Sequence, residues 1–239
     1  MRIQRNRTIP AIAFGLVALT GTANAQFSSA WTLASDYDYR GITQSDENPA
    51  LQISLDYSHA SGWYLGAWAS NVKFQGYDGR LELDLAGGFT GTTQGGLEWD
   101  AGLMWYTYPG SAATESQAGL ADFPEVYFAL GRGPVRGRIR YSHDFSGTGE
   151  TGLYVEVNTK FRLPSHFCVL AHVGHSSGRA IDRLYQAAYV DYSAGIGYSA
   201  GNFDLALRYL GNDTDPAFGY RGRAMVTIET RFPWRHAAD

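Results

Sequence analysis

Residues 81–90 read Leu-Glu-Leu-Asp-Leu-Ala-Gly-Gly-Phe-Thr, and residues 153–162 read Leu-Tyr-Val-Glu-Val-Asn-Thr-Lys-Phe-Arg. In both stretches, apolar residues alternate with polar or small ones. Successive side chains of a strand point to opposite faces, so each stretch has one apolar face and one polar face. Runs of this length and pattern are typical of strands that cross an outer membrane as part of a β-barrel.

The alternation recurs along the chain and predicts an all-β fold, a transmembrane antiparallel up-and-down β-barrel of about 12 strands. Short turns alternate with longer polar connections, as expected when both ends of the barrel lie on the periplasmic side. The predicted strands are 28–40, 50–59, 63–74, 79–90, 97–108, 122–131, 135–145, 151–162, 167–176, 188–198, 203–211 and 222–232.

The first 25 residues have the pattern of a secretory signal peptide. Arg2, Arg5 and Arg7 form a basic start, residues 9–19 are mostly apolar, and Ala23-Asn24-Ala25 offers a cleavage site. We therefore expect cleavage after residue 25, which leaves residues 26–239 as a single barrel domain exported to the bacterial outer membrane.

Composition narrows the classes of function. Removal of residues 1–25 lowers the formal charge by three, from −4 to about −7, which argues against a nucleic-acid partner. The chain has no apolar run long enough for a transmembrane helix, and its only cysteine, Cys168, excludes an internal disulfide. No residue pattern predicts a cofactor or a metal. Aromatic residues near strand ends suit interfacial belts, namely Tyr37, Tyr57, Trp63, Trp105, Tyr108 and Tyr209.

Residues 39–52 read Tyr-Arg-Gly-Ile-Thr-Gln-Ser-Asp-Glu-Asn-Pro-Ala-Leu-Gln. This segment resembles the opening segment of the TorF family of porin-like outer-membrane proteins, whose function is largely unknown. The resemblance covers the mature chain and is densest in its first half, including residues 55–59, 62–64 and 68–72. It implies an outer-membrane barrel and a pore, and it supplies no substrate and no catalytic residues.

If the apolar faces meet lipid, the opposite faces line the interior. Charges opposed across a lumen select small polar solutes, so the pattern predicts a porin for their passive diffusion. The same charges could instead pair and fill the interior, with Glu156 neutralising Arg138 or Arg140. The connection 109–121 is long enough to fold inward and narrow a channel. The predicted lining residues are Arg136, Arg138, Arg140, Lys160 and Arg162 on one wall, Asp36 and Asp38 on the first strand, and Glu82 and Asp84 on the fourth.

Other functions have weaker support in the sequence. A structural or surface-binding barrel without conduction is the main alternative to a porin, which is not an enzyme. His175 and Ser177 have the His-x-Ser spacing of barrel lipid hydrolases, but Gly178 stands where those enzymes have asparagine. Residues 212–215, Asn-Asp-Thr-Asp, have oxygen ligands for calcium, although turn formation explains them better. We expect contact with outer-membrane lipid and small polar solutes, and a monomer by default because a closed sheet has no free edge.

Overall fold

The computed structural model describes residues 26–74, 79–110, 121–214 and 222–233. In these residues, twelve antiparallel strands form one closed barrel, in which each strand pairs with its neighbours in the chain and the first pairs with the last. The barrel strands are β1 (Gln26–Ala34), β4 (Ala50–Ser58), β5 (Trp63–Asn71), β6 (Leu81–Thr92), β7 (Glu98–Thr107), β8 (Phe123–Arg132), β9 (Val135–Ser142), β10 (Gly152–Arg162), β11 (Phe167–Ser177), β12 (Tyr189–Ala200), β13 (Phe203–Asn212) and β14 (Arg223–Phe232).

Three short elements lie outside the barrel sheet. Strands β2 (Asp38–Tyr39) and β3 (Ile42–Thr43) pair with each other as a small hairpin. Helix α1 spans Arg179–Tyr185, and a 3₁₀ turn spans Phe145–Gly147. In the described part of the chain, no helix is long and apolar enough to cross a membrane. The predicted signal peptide, residues 1–25, lies outside the described residues and stays a prediction.

The alternating pattern determines which face of each strand points outward. On β6, Leu85 is 50% exposed, whereas Glu82 is 1% exposed. On β10, Val155 and Val157 are exposed, whereas Tyr154, which directly precedes Val155, is buried. The apolar faces therefore point outward and the polar faces inward, the reverse of a soluble protein, and the predicted barrel is confirmed.

The two ends of the barrel differ. At one end, here called the turn end, the strands are joined by connections of two to five residues, and both Gln26 and Phe232 lie there. At the other end, the loop end, longer connections join the strands. Tyr57 and Trp63, predicted for an aromatic belt, stack beside Phe27 and His59 at the turn end.

The first strand was predicted to run from 28 to 40, and this prediction is wrong. Strand β1 ends at Ala34, and residues 35–49, here called the inward loop, fold into the barrel at the loop end. Asp36 and Asp38 therefore lie on this loop and not on the first strand. Tyr37, predicted for a lipid-facing belt, is buried inside the barrel, where its hydroxyl donates to Glu82.

An apolar cluster seals the interior beneath the loop end. Ile42 of the inward loop packs there with Phe145 of the 3₁₀ turn and Ile181 of α1. Strands β7, β8 and β12 contribute Tyr106, Phe123 and Tyr189 to the same cluster. The loop end is thus packed like the core of a soluble protein, and this packing holds the inward loop in place.

Candidate functional site

Arg223 on β14 holds the inward loop from one side. Its Nε donates to Asp36 Oδ2 at 2.6 Å, and its Nη2 donates to Asp38. Asp36 also accepts hydrogen bonds from Thr43 and Ser45 within the loop. Because these groups are buried, the contacts are charge-assisted hydrogen bonds in a poorly solvated site, where they are strong.

Arg40 holds the inward loop from the other side. Its Nη2 donates to Glu125 Oε1 on β8 at 2.5 Å, and both side chains are almost fully buried. The guanidinium also lies over the ring of Tyr154, 4.4 Å from the centroid. The loop is therefore anchored at two places on opposite sides of the barrel.

Burial raises the pKa of Asp38 to about 6. Arg223 opposes this rise, and the negative charge of Asp191 adds to it. Asp38 is therefore a carboxyl group of the inward loop whose charge changes just below neutral pH.

The inward faces of β5 to β9, here called the filled side, are occupied by large side chains. Arg136 Nη2 donates to Asp100 Oδ2 at 2.8 Å, and Arg138 Nη1 lies 3.7 Å from Glu156 Oε1. Arg140 lies 3.7 Å from Glu125. The three arginines predicted as a basic wall do point inward, but each has a carboxylate partner, so they do not form an open cationic surface.

Tyrosines complete the filled side. Tyr64 on β5 donates to Asp100 Oδ1 at 2.7 Å and contacts the hydroxyl of Tyr127. These rings lie flat across the wall because Gly88 and Gly102 stand directly opposite them on the neighbouring strands. A Cβ at Gly88 would lie 2.6 Å from the Tyr64 hydroxyl, so the packing requires glycine there.

Glu82 and Asp84 also point inward. Both are buried, beneath the inward loop, and Glu82 accepts a hydrogen bond from Tyr37 at 3.0 Å. Lys160 lies on the inward face of β10 and lines a small cavity of about 40 Å³. Arg162 is exposed at the turn end of the same strand. The predicted residues are thus inside the barrel or at its mouth, but they are not assembled into two opposed walls.

A histidine network that the sequence analysis did not identify lies beside the inward loop. His172 Nε2 is 2.7 Å from Asp191 Oδ1, and His172 Nδ1 is 2.8 Å from Asn158 Oδ1. The Tyr154 hydroxyl donates to the same Asp191 oxygen at 3.1 Å. Strand parity places all four residues inward, but parity alone does not show which of them meet.

The inward faces of β12 to β14 and β1, here called the hollow side, carry several small residues between longer side chains such as Arg208 and Glu229. They border a cavity of about 770 Å³ that extends from Gln26 and Asn202 at the turn end to Asp38 of the inward loop. The volume is that of a small-molecule site. Small inward residues on this side include Ala30, Ala34, Gly195, Gly197, Ala206 and Thr227.

The remaining sequence candidates do not join this cavity. His175 is exposed on the outward face of β11, and Ser177 shares that face at the end of the strand. Asn212 Oδ1 accepts from Thr214, and Asp213 Oδ1 accepts from the backbone of Val190, so both side chains support the turn. Asp215 and most of the connection 109–121 lie outside the described residues. Among the residues that the structure describes, no group of His, Cys, Asp and Glu could hold a metal ion.

A closed barrel of antiparallel strands with an apolar outside is the architecture of outer-membrane porins. Two solved porins share it. The KdgM porin has a TM-score of 0.52 at 6% identity, covering 87% of this chain and 99% of that one. The NanC porin has a TM-score of 0.52 at 10% identity, covering 85% and 98%. At such low identities the similarity shows the fold.

The family described as "Bacterial protein of unknown function (Gcw_chp)" matches residues 18–233. The chain belongs to this family. No curated protein matches it.

Proposed function

We propose that this protein is an outer-membrane porin through which small polar solutes diffuse passively. The observation that supports the proposal is the cavity on the hollow side. It enters the barrel from the turn end, is lined by both polar and apolar residues, and runs most of the way to the loop end. A barrel built only as a scaffold has no need of such a space, because neighbouring side chains could fill it.

The proposed orientation follows from the connections. In barrels of the outer membrane, short turns face the periplasm and longer loops face outward. The cavity therefore opens to the periplasm, and the inward loop lies toward the outer surface. The predicted signal peptide and the resemblance to the TorF family support the same location.

The inward loop is the proposed constriction. It occupies the loop end of the lumen and is anchored by Arg223 to Asp36 and Asp38 and by Arg40 to Glu125. Passage through the barrel then depends on how far this loop leaves its docked position. This assigns to residues 35–49 the role that the sequence analysis gave to the connection 109–121.

Single-channel currents test this proposal. Refolded residues 26–239 should give discrete steps in a planar bilayer. Arg223→Gln should raise the open fraction by about tenfold or more, because charge-assisted hydrogen bonds contribute about 1.5–3 kcal/mol each. Arg132→Gln, at the exposed last residue of β8, is the matched control and should leave the currents unchanged. Silence from both folded variants and the wild type would overturn the proposal.

A non-conducting barrel is the second candidate, and the paired charges of the filled side favour it. Silence in the current recordings would be its expected result. Catalysis by His175 and Ser177 has no support from their outward position, since no third group orients His175 there in the described residues. Ser177→Ala should accordingly leave the lipid composition of the membrane unchanged.

A further inference from the structure

In the part of the chain that the structure describes, two cations inside the barrel have no carboxylate oxygen within 4 Å. Six inward arginines each have a carboxylate oxygen within 4 Å, namely Arg40, Arg136, Arg138, Arg140, Arg223 and Arg231. Among the described residues, no carboxylate lies that close to Lys160 or Arg208, although both side chains point inward. Charges inside a protein are normally paired, so two unpaired cations beside a cavity are a signal of binding.

The strand register places these two cations at the same level. Lys160 on β10 is opposite Leu170, Leu170 is opposite Gly195, and Gly195 is opposite Arg208 on β13. Three strand spacings separate their backbones by about 14 Å along the wall. Of the two residues between them, Gly195 has no side chain, and the buried Leu170 lines the same small cavity of about 40 Å³ as Lys160 and Arg208.

The charge around this small cavity is positive. Lys160, Arg208 and Arg231 line it, against the carboxylates of Asp204 and Glu229. Glu229 accepts from Arg231 Nε at 2.6 Å, and Asp204 Oδ1 accepts from the Ser199 hydroxyl at 2.5 Å. Arg208 also lines the large cavity, so a solute that enters at the turn end reaches it.

We propose that Lys160 and Arg208 bind the carboxylate or phosphate group of a small anionic solute inside the barrel. An arginine offers a planar pair of donors to such a group, and the lysine ammonium adds a second charge from the opposite side. The proposal deepens the proposed function because it gives the sign of the solute charge, and it rests on the cavity being reachable from the turn end.

Cys168 provides a probe at the site. It is the only cysteine of the chain, it is buried, and it lines the same small cavity as Lys160 and Arg208. Two methanethiosulfonate reagents, one with a sulfonate and one with a trimethylammonium group, can be compared on the refolded barrel by mass spectrometry. The thiolate forms a mixed disulfide with the reagent sulfur, and methanesulfinate leaves. The reaction rate therefore measures how readily a reagent of each charge reaches the thiol.

In the wild type, the anionic reagent should react about tenfold faster than the cationic one, after each rate is divided by that of free cysteine, because a cationic cleft concentrates anions. The double variant Lys160→Gln with Arg208→Gln should abolish this preference. Arg208→Lys should keep it, which separates loss of charge from misfolding, and Arg132→Gln should not change it. Sodium acetate and sodium phosphate at equal ionic strength should each slow the anionic reagent, and the more effective one identifies the preferred group.

Two results would overturn the proposal. One is a rate ratio that the double variant does not change, and the other is a thiol that neither reagent reaches in a barrel shown to be folded by heat-modifiable migration. The outcome is independent of the current recordings. A silent barrel with charge-selective labelling would reject conduction and retain the anion site, whereas a conducting barrel without selectivity would do the opposite.

Discussion

The filled side and the hollow side follow the same alternation of outward apolar and inward polar residues, yet one is packed and the other is open. On the filled side the inward residues are large and paired, as with Arg136 and Asp100 or Tyr64 and Tyr127. On the hollow side, small residues such as Ala30 and Gly195 leave space between larger ones such as Arg208. The comparison shows that alternation builds the barrel wall, whereas the volume of the inward side chains determines whether a lumen remains. Barrels of about eight strands are filled by side chains, and those of about 16–18 strands leave a wide channel. A barrel of twelve strands lies between these sizes, so one part of its interior can be filled while another stays open.

Removal of a charge should have the largest effect on the filled side. Glu125→Ala leaves Arg40 without its carboxylate in a buried site and removes one of the two carboxylates near Arg140, and we expect a loss of about 3–5 kcal/mol in the free energy of unfolding. Urea titration followed by heat-modifiable migration measures it. Asp56→Ala is the matched change next to the cavity, where Asp56 accepts a hydrogen bond from Ser54, and it should cost less than about 1.5 kcal/mol. Equal losses would mean that the two sides do not differ in packing.

Insertion of an aromatic ring should affect stability on the filled side and conductance on the hollow side. Ala129 on β8 is 1% exposed, so Ala129→Phe overpacks the filled side and should cost about 1–3 kcal/mol. Ala30 borders the cavity, so Ala30→Phe should preserve the free energy of unfolding and instead reduce the single-channel conductance. The same titration and the current recordings measure both variants. If Ala129→Phe left the barrel stable and reduced its conductance, the lumen would run along the filled side, which contradicts the assignment of the two sides.

The smallest effect concerns the inward loop, which connects both sides. The pKa of Asp38 is raised to about 6 when the loop is docked, and in water it would return to the ordinary value of about 3.9. The docked loop therefore binds the proton more tightly, and acidification below pH 6 stabilises the docked state by up to about tenfold per pH unit. We expect the open fraction to fall between pH 7 and 5. Asp38→Asn should remove this fall, and a wild-type open fraction that rises in acid would contradict the sign.

The barrel wall could be predicted from the sequence because its signal is local. Eleven of the twelve predicted strands agree with the structure within three residues at each end. The residue type alone predicts which way Leu85 and Glu82 point, because a leucine is favoured on the lipid face and a glutamate on the inward face. No long-range contact is needed for this assignment.

The interior could not be predicted because its contacts are long-range. Asp36-Tyr37-Asp38-Tyr39 continues the alternation of β1, so nothing local marks the point where the chain leaves the wall at Ala34. Arg136 meets Asp100 across two strand boundaries, and Arg223 meets Asp36 over 187 positions of sequence. Parity predicts that these groups point inward, but only the register and the depth of each strand show that the basic wall is neutralised. The sequence analysis did not identify Arg208 for the same reason. Whether a cation has a carboxylate nearby depends on residues from other strands.

The position of Arg223 also bears on the order in which the molecule assembles. This residue begins β14, the last strand, which closes the sheet against β1, and it holds the two aspartates that follow β1. Neither ion pair can form until the final strand has arrived, however early the N-terminal half is made. Docking of the inward loop is therefore a late event that reports a completed barrel, and a chain truncated before residue 223 would lack both the closing seam and the anchor.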